Sequence, residues 1–279
     1  MLLCTVRGCH LPLTRTEEGS GRRLACPRGH SFDVARSGYI NLLQPQDRRS
    51  KRPGDTPAAV AARRRSHDLG ITAPLLNGIA ELAQASPDDI VLDAGCGDGF
   101  YLGSLARQSG CAAHGVDISI PAVEAAARRY PPSGVAGGAA YDPGVAGYEW
   151  IVANADRFVP YAERSFSIVL SITGRMNATE FRRVLRDDGR LLVALAAPDD
   201  MIELRSRAGT AGRDRVPQTL ETFAPQFKLM ARSRVTTAAD LDAATVQDVL
   251  LSIYRPLRSQ PVEATRVTFS LDLLLFGSA

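Results

Sequence analysis

Residues 90–101, IVLDAGCGDGFY, constrain this chain more than any other stretch. Ile90, Val91 and Leu92 form a short apolar run, the pattern of a parallel strand buried on both faces. Asp93 ends the run, and Gly95, Gly97 and Gly99 follow at alternate positions. Glycines there permit a tight turn and a close approach of backbone to a ligand. A helix is expected over residues 101–108. Strand, glycine loop and helix in that order open an α/β fold with a parallel sheet. The G-x-G-x-G pattern alone leaves the ligand open, because nucleotide-dependent dehydrogenases carry a similar loop.

The next segments narrow the reading. Residues 112–118 (AAHGVDI) read as a second strand carrying Asp117 at its end, where a carboxylate can accept both hydroxyls of a ribose. Residues 151–156 (IVANAD) read as a third strand and residues 166–172 (FSIVLSI) as a fourth. A helix over 180–185, a turn over 186–190 (RDDGR) and a strand over 191–196 follow. Late strands are expected at 227–236 and 267–276, with a helix over 238–254 between them. Residues 204–215 form a polar, glycine-bearing insertion, suited to a lid, an RNA contact or a surface loop. This order resembles the class I S-adenosylmethionine (SAM) methyltransferases, and dehydrogenases lack the turn at 186–190. The resemblance implies a Rossmann-like α/β fold that binds SAM. It implies cofactor contacts at Asp93, Gly95, Gly97, Gly99, Phe100, Asp117, Ile118, Asn154 and Ala155, with Thr72 and Asp200 beside them.

The N-terminal segment has a different character. Cys4 and Cys9, then Cys26 and His30, make C-x4-C and C-x3-H knuckles. Zinc takes four such ligands in a tetrahedron, and a segment with so few large apolar residues needs a staple to fold. His10 competes with Cys4 for the fourth position. Residues 14–23 (TRTEEGSGRR) suit a hairpin tip between the knuckles. Charge separates the same two regions. The whole chain carries only +3, but residues 1–67 hold 13 basic and 5 acidic residues. The remaining 212 residues hold 20 basic and 25 acidic ones. An arginine-rich end suits phosphate and base recognition. Residues 60–69 (VAARRRSHDL) read as a helix, around which Arg63, Arg64 and Arg65 fan. Five cysteines, no apolar run of membrane-spanning length and no charged leader point to a reducing, cytoplasmic setting without a membrane partner.

Residues 26–41, CPRGHSFDVARSGYIN, together with Pro53-Gly54-Asp55, AARR at 61–64 and the segment 70–75, resemble the large-subunit ribosomal RNA guanine-N1 methyltransferases of the RlmA family. The resemblance spans the chain. It implies zinc at Cys4, Cys9, Cys26 and His30, large-subunit (23S) ribosomal RNA as partner, and a homodimer that forms a cleft for RNA. The family includes housekeeping members and members that confer macrolide resistance. This chain departs from it in three places. Four residues, rather than two, separate Cys4 from Cys9. Thr72 stands where tyrosine is common. Residues 173–177 (TGRMN) replace a usual Ala-Pro after the fourth strand.

The expected division is a zinc-binding subdomain at 1–45, a basic linker and helix at 46–78, and a methyltransferase domain at 79–279. Loss of the zinc ligands is expected to spare cofactor binding. Guanine N1 carries a proton, so its attacking lone pair requires a base or stabilisation of the O6 anion. Asp156 is a candidate base or an adenine contact. Arg175 and Asn177 are candidates on the loop after the fourth strand, Arg175 for developing O6 charge or for a phosphate. Phe32, Tyr39 and residues 48–52 are candidates for RNA contact, the two aromatics equally for packing. A small-molecule methyltransferase and a non-catalytic zinc- and SAM-binding RNA module are the competing readings. The basic N-terminus disfavours the first; the altered residues 173–177 leave the second open, while the intact 93–99 loop and Asp117 argue for retained cofactor binding.

Overall fold

The computed structural model describes residues 1–16, 23–47, 53–132, 147–174, 176–253, 257 and 261–279. The expected hairpin tip lies partly, and the 48–52 run and Arg175 wholly, outside the described residues.

Strands β1 (Thr14–Arg15), β2 (Arg23–Ala25) and β3 (Ser31–Asp33) form a small antiparallel sheet. β4 (Ile40–Asn41) leaves it and joins the large sheet. Two helices follow, α1 (Pro57–Asp68) and α2 (Ala73–Ala83). Thr56 starts α1 by accepting the Ala59 N–H at 3.2 Å, and Pro57 takes the first turn, where a missing N–H costs nothing. Then strands and helices alternate: β5 (Ile90–Ala94), α3 (Phe100–Ser109), β6 (Ala112–Asp117), α4 (Ile120–Arg129), β7 (Tyr148–Val152), β8 (Phe166–Ile172), α5 (Ala178–Val184) and β9 (Leu185–Ala196). The chain closes with α6 (Ile202–Arg207), α7 (Val216–Phe223), β10 (Phe227–Leu241), α8 (Ala243–Ser252) and β11 (Thr265–Ser278).

The large sheet has the order β10-β11-β9-β8-β5-β6-β7-β4. β10 and β11 are antiparallel, β11 is antiparallel to β9, and the other pairs are parallel. β5 pairs with β6 on one side and β8 on the other, so the chain reverses its direction of travel at β5. Ligands of open α/β sheets bind at that switch, beyond the carboxyl ends of the strands. Trp150 on β7 is fully buried and donates its indole N–H to the Tyr130 carbonyl at 2.8 Å.

Several boundaries differ from expectation. β7 ends at Val152 rather than running to Asp156, because Asn154 Oδ1 accepts the Asp156 N–H and turns the chain. Residues 238–241 continue β10 rather than opening a helix. They pair with β11, and α8 begins only after Asp242 caps it through the Thr245 N–H at 2.8 Å. The turn at 186–190 is folded into β9. Leu185 faces Phe166 and Arg190 faces Ile168, so five residues advance against two. The insertion at 204–215 begins inside α6.

The zinc-bearing segment is not a separate bead. Ile40 and Asn41 pair with Ile151 and Val152, Leu42 N–H bonds the Val152 carbonyl at 2.9 Å, and Leu3 N–H bonds the Pro160 carbonyl at 3.0 Å. Cys4, Cys9, Cys26 and Phe32 share one buried cluster with Ile151, Val159 and Phe181.

Candidate functional site: a zinc cluster and a cofactor cradle

Two turns bring the first site together. Cys9 N–H bonds the Val6 carbonyl, and Gly29 N–H bonds the Cys26 carbonyl, both at 2.9 Å. The four ligand atoms of Cys4, Cys9, Cys26 and His30 lie within 4.8 Å of one another. Cys9 Sγ is 3.7 Å from Cys26 Sγ, and His30 Nδ1 is 3.4 Å from Cys4 Sγ and from Cys26 Sγ. A zinc tetrahedron with Zn–S of about 2.3 Å and Zn–N of about 2.0 Å has S–S edges near ~3.8 Å and S–N edges near ~3.5 Å. The residues therefore fit zinc. His10 is excluded from the set because its ring stacks on Phe158, with centroids 4.1 Å apart. Burial pushes the Cys4 thiol up. Burial also opposes ionisation of Cys26, but hydrogen bonds from the backbone amides of Arg28 and His30 and from the Cys9 and Cys4 thiols outweigh it and lower this thiol.

The second site lies at the carboxyl end of β5. Gly95, Gly97 and Gly99 all have positive φ, at 98°, 54° and 74°. At Gly99 an added Cβ would also stand 2.6 Å from the Trp150 ring, so only glycine fits. Asp117 ties this loop to β6: its Oδ2 accepts the Gly97 N–H at 3.0 Å and its Oδ1 the Ser119 N–H at 2.8 Å. Asp93 Oδ1 and Asp98 Oδ2 are buried without a hydrogen-bond partner among the described residues. Burial, then the neighbouring Asp117 charge, raises the Asp93 carboxyl to about 8. Burial likewise raises Asp98 and Asp117. Orphaned buried acceptors beside a glycine turn suit a ligand that brings its own donors, such as an ammonium and ribose hydroxyls.

The other predicted residues divide into two groups. Phe100 opens α3, and its ring stacks on His67 at 3.9 Å. The Thr72 hydroxyl and His67 Nδ1 share a hydrogen bond at 2.8 Å. Burial, then the charges of Arg63 and Arg129, lowers His67 to about 3, so the ring is neutral. Asp200 accepts the Ser270 N–H at 3.1 Å, and burial outweighs that bond to raise its carboxyl to about 6. Ile118 is half-buried just past the end of β6. The loop after β7 forms the far wall. Asn154 Nδ2 donates to the Asp47 carbonyl at 2.9 Å, and Arg157 Nη1 pairs with Asp47 at 2.7 Å. Asn177 Nδ2 donates to the carbonyls of Ala155 at 3.1 Å and Asp156 at 3.0 Å, while its Oδ1 caps α5 through the Glu180 N–H. Both amide hydrogens are thus spent on backbone. These bonds tie Asn177 to the 155–156 loop and to the start of α5. Asp156 is exposed on the rim.

Sequence reasoning missed Asp98, Arg63 and Asp55 as neighbours of the cradle. Arg63 turns inward, pairing with Asp55 and donating to the Ser252 carbonyl at 2.7 Å. Arg65 turns outward to Asp248. The tripled arginine signalled a fan but not which member faces in. Gly174 stands opposite the glycine loop, its Cα 3.5 Å from where a Cβ on Gly95 would lie.

A mixed, mainly parallel sheet with its glycine loop at the switch point and a four-ligand cluster at its edge define a zinc-containing class I SAM-dependent methyltransferase. Residues 92–193 match the family model of a methyltransferase domain, and residues 4–51 match the N-terminal zinc ribbon of RlmA. A 23S rRNA (guanine(748)-N(1))-methyltransferase of Streptomyces fradiae is 34% identical over 242 residues, 84% of this chain and 78% of that one. A protein of Micromonospora griseorubida named as a 23S rRNA (guanine-N(1)-)-methyltransferase is 33% identical over 75% of this chain and 70% of its own length. A similarly named protein of Bacillus subtilis, YxjB, is 32% identical over 71% and 66%. The chain belongs to the family of 23S rRNA (guanine-N1)-methyltransferases. No described helix is long and apolar enough to cross a membrane.

Proposed function

We propose that this protein transfers a methyl group from SAM to N1 of a guanine in a hairpin of 23S ribosomal RNA. The observation that carries the reading is the joining of a four-ligand zinc cluster and a glycine-loop cradle by β4 in the main sheet, in a chain whose residues 4–51 and 92–193 match the RlmA zinc-ribbon and methyltransferase-domain models. SAM supplies an activated methyl group, and the chain's own work is to bind, align and exclude water. In this reading Asp93, Asp117 and the glycine loop hold the cofactor, Asn154 and Ala155 border its adenine, and Thr72, Phe100, Ile118 and Asp200 close the pocket. Asp156, exposed beyond the end of β7, is assigned as the group that receives the guanine N1 proton from a flipped base. Arg175 is assigned to the charge that develops on O6. The zinc-bearing segment is assigned to RNA, with the division 1–45, 46–78 and 79–279 marking roles rather than separable bodies. Homodimerisation, a cytoplasmic location and a macrolide-resistance role belong to the same proposal.

The test is mass mapping of 23S ribosomal RNA after incubation with protein and SAM. A new N1-methylated guanine is the expected result, and guanine 748, for which the Streptomyces fradiae relative is named, is the first position to examine. Unmethylated RNA in the presence of bound cofactor would overturn the proposal. An affinity for substrate that does not fall with salt would favour a small molecule instead.

A further inference from the structure

The acidic character of the cradle leaves one part of the cofactor unmatched. Asp93, Asp98 and Asp117 suit an ammonium and hydroxyls, but the amino-acid end of SAM also carries a carboxylate. Burying a carboxylate among carboxylates requires a cation. Arg63 is the inward member of the arginine fan on α1, and its side chain is only 24% exposed. A Cβ on Gly97 would stand 3.6 Å from its Nη1, so the guanidinium lies against the middle of the glycine loop. Its bonds to Asp55 and to the Ser252 carbonyl fix its position and use two of its five N–H donors. Asp55 is itself anchored, because its carbonyl accepts the Ser119 hydroxyl at 2.9 Å, two residues beyond Asp117. Although burial opposes its charge, the Asp55 bond and the charges of Asp98 and Asp117 outweigh that and keep Arg63 cationic. Among the described residues Arg129 and Arg64 also act on Asp98. Arg129 pairs with Asp68 at 2.7 Å through Nη2 and lies over the Phe100 ring, with its buried Nη1 left without a partner among the described residues, so it is the comparison cation for Arg63.

Resting on the SAM reading above, we propose that Arg63 holds the cofactor's carboxylate, so that α1 and the 54–55 segment form the wall of the cradle that recognises the amino-acid end of the ligand. A guanidinium already held on two sides loses little freedom on binding and presents paired N–H donors to a carboxylate. The role is one of binding and positioning.

The experiment is calorimetry on the full-length, zinc-loaded protein with two ligands. S-adenosylhomocysteine has the amino-acid end; methylthioadenosine has the adenine, ribose and sulfur but lacks it. Arg63→Met is expected to weaken S-adenosylhomocysteine roughly 10- to 100-fold, the usual worth of hydrogen bonds to a charged group, and methylthioadenosine by less than about twofold. Equal losses for both ligands, or no loss for either, would overturn the assignment. So would a selective loss in Arg129→Met with none in Arg63→Met. If Arg63→Met does not fold, the wild-type protein decides by its affinity for the carboxamide of S-adenosylhomocysteine. A loss of about tenfold or more supports carboxylate recognition, and affinities within about twofold of the parent overturn it. Wild-type protein that binds neither S-adenosylhomocysteine nor methylthioadenosine would sink the SAM reading itself, and the Arg63 assignment with it.

Discussion

The zinc cluster and the cofactor cradle are built by opposite strategies. All four zinc ligands come from 27 consecutive residues, brought together by two tight turns and a short hairpin sheet. The cradle draws on strands, loops and helices spread from Asp55 to Ser270. The first needs a metal because three short strands bury too little to hold themselves. The second needs the finished sheet, because its acids are buried only when β5 lies between β6 and β8. The two are nonetheless joined by β4, which pairs with β7, and by Asp47, which holds Asn154 and Arg157 in the cradle's far wall. These contacts set against the expectation that zinc loss spares the cofactor the opposite prediction, that the two sites are coupled.

The largest test of that coupling is removal of the metal. Chelation, or Cys26→Ser, is expected to lower Tm by more than about 10 °C, since structural zinc contributes folding energy directly. In calorimetry it should also weaken S-adenosylhomocysteine by roughly tenfold through the lost support of residues 154–157. Unchanged cofactor affinity in metal-free protein would break the link. The reverse experiment, Asp117→Ala, removes the tie between Gly97 and Ser119. It is expected to cost cofactor binding about 2–3 kcal/mol while zinc content, read by metal analysis, stays at wild type.

A third test uses pH on the cradle side. His67 is neutral in the folded protein, with its pKa lowered to about 3, whereas a histidine in the unfolded chain titrates near its ordinary value of 6.5. Its contribution is complete above pH 6.5 and is lost as pH falls toward 3, because the unfolded chain binds the proton first. The slope is about 1.4 kcal/mol per pH unit, and His67→Gln should flatten it in denaturant titrations across that window. Asn177→Ala removes a helix cap and two loop bonds. It should lower stability by about 1 kcal/mol and turnover more than cofactor affinity, as steady-state kinetics would show. Smallest is Arg65→Ala on the outer face of α1, expected to move Tm by less than about 2 °C. A larger fall would mean that the α1–α8 contact also steadies the cradle.

Much of both sites was legible in the chain. The four residues picked out by ligand spacing, Cys4, Cys9, Cys26 and His30, lie together, whereas His10 stacks on Phe158. The alternation of strands and helices through β8 also read well, since buried parallel strands are short apolar runs between turn signals. The late hairpin did not. Residues 238–241 have no strong strand propensity and become strand because β11 is there to pair with them. Asn177 looked like a catalytic amide by its position, and only the distances to Ala155 and Asp156 show that its donors are taken.

Sequence alone determined the residues whose chemistry depends on near neighbours: the knuckles, the glycine loop, and the acids at strand ends. It also located the basic end of the chain. Tertiary structure decided which of three consecutive arginines faces the cradle, which acids lose their solvent, and that the zinc-bearing segment adds a strand to the main sheet. Those outcomes depend on burial and on pairing between elements far apart in the chain. Local patterns set turns, caps and ligand spacing, but the field around a side chain is set by everything packed against it.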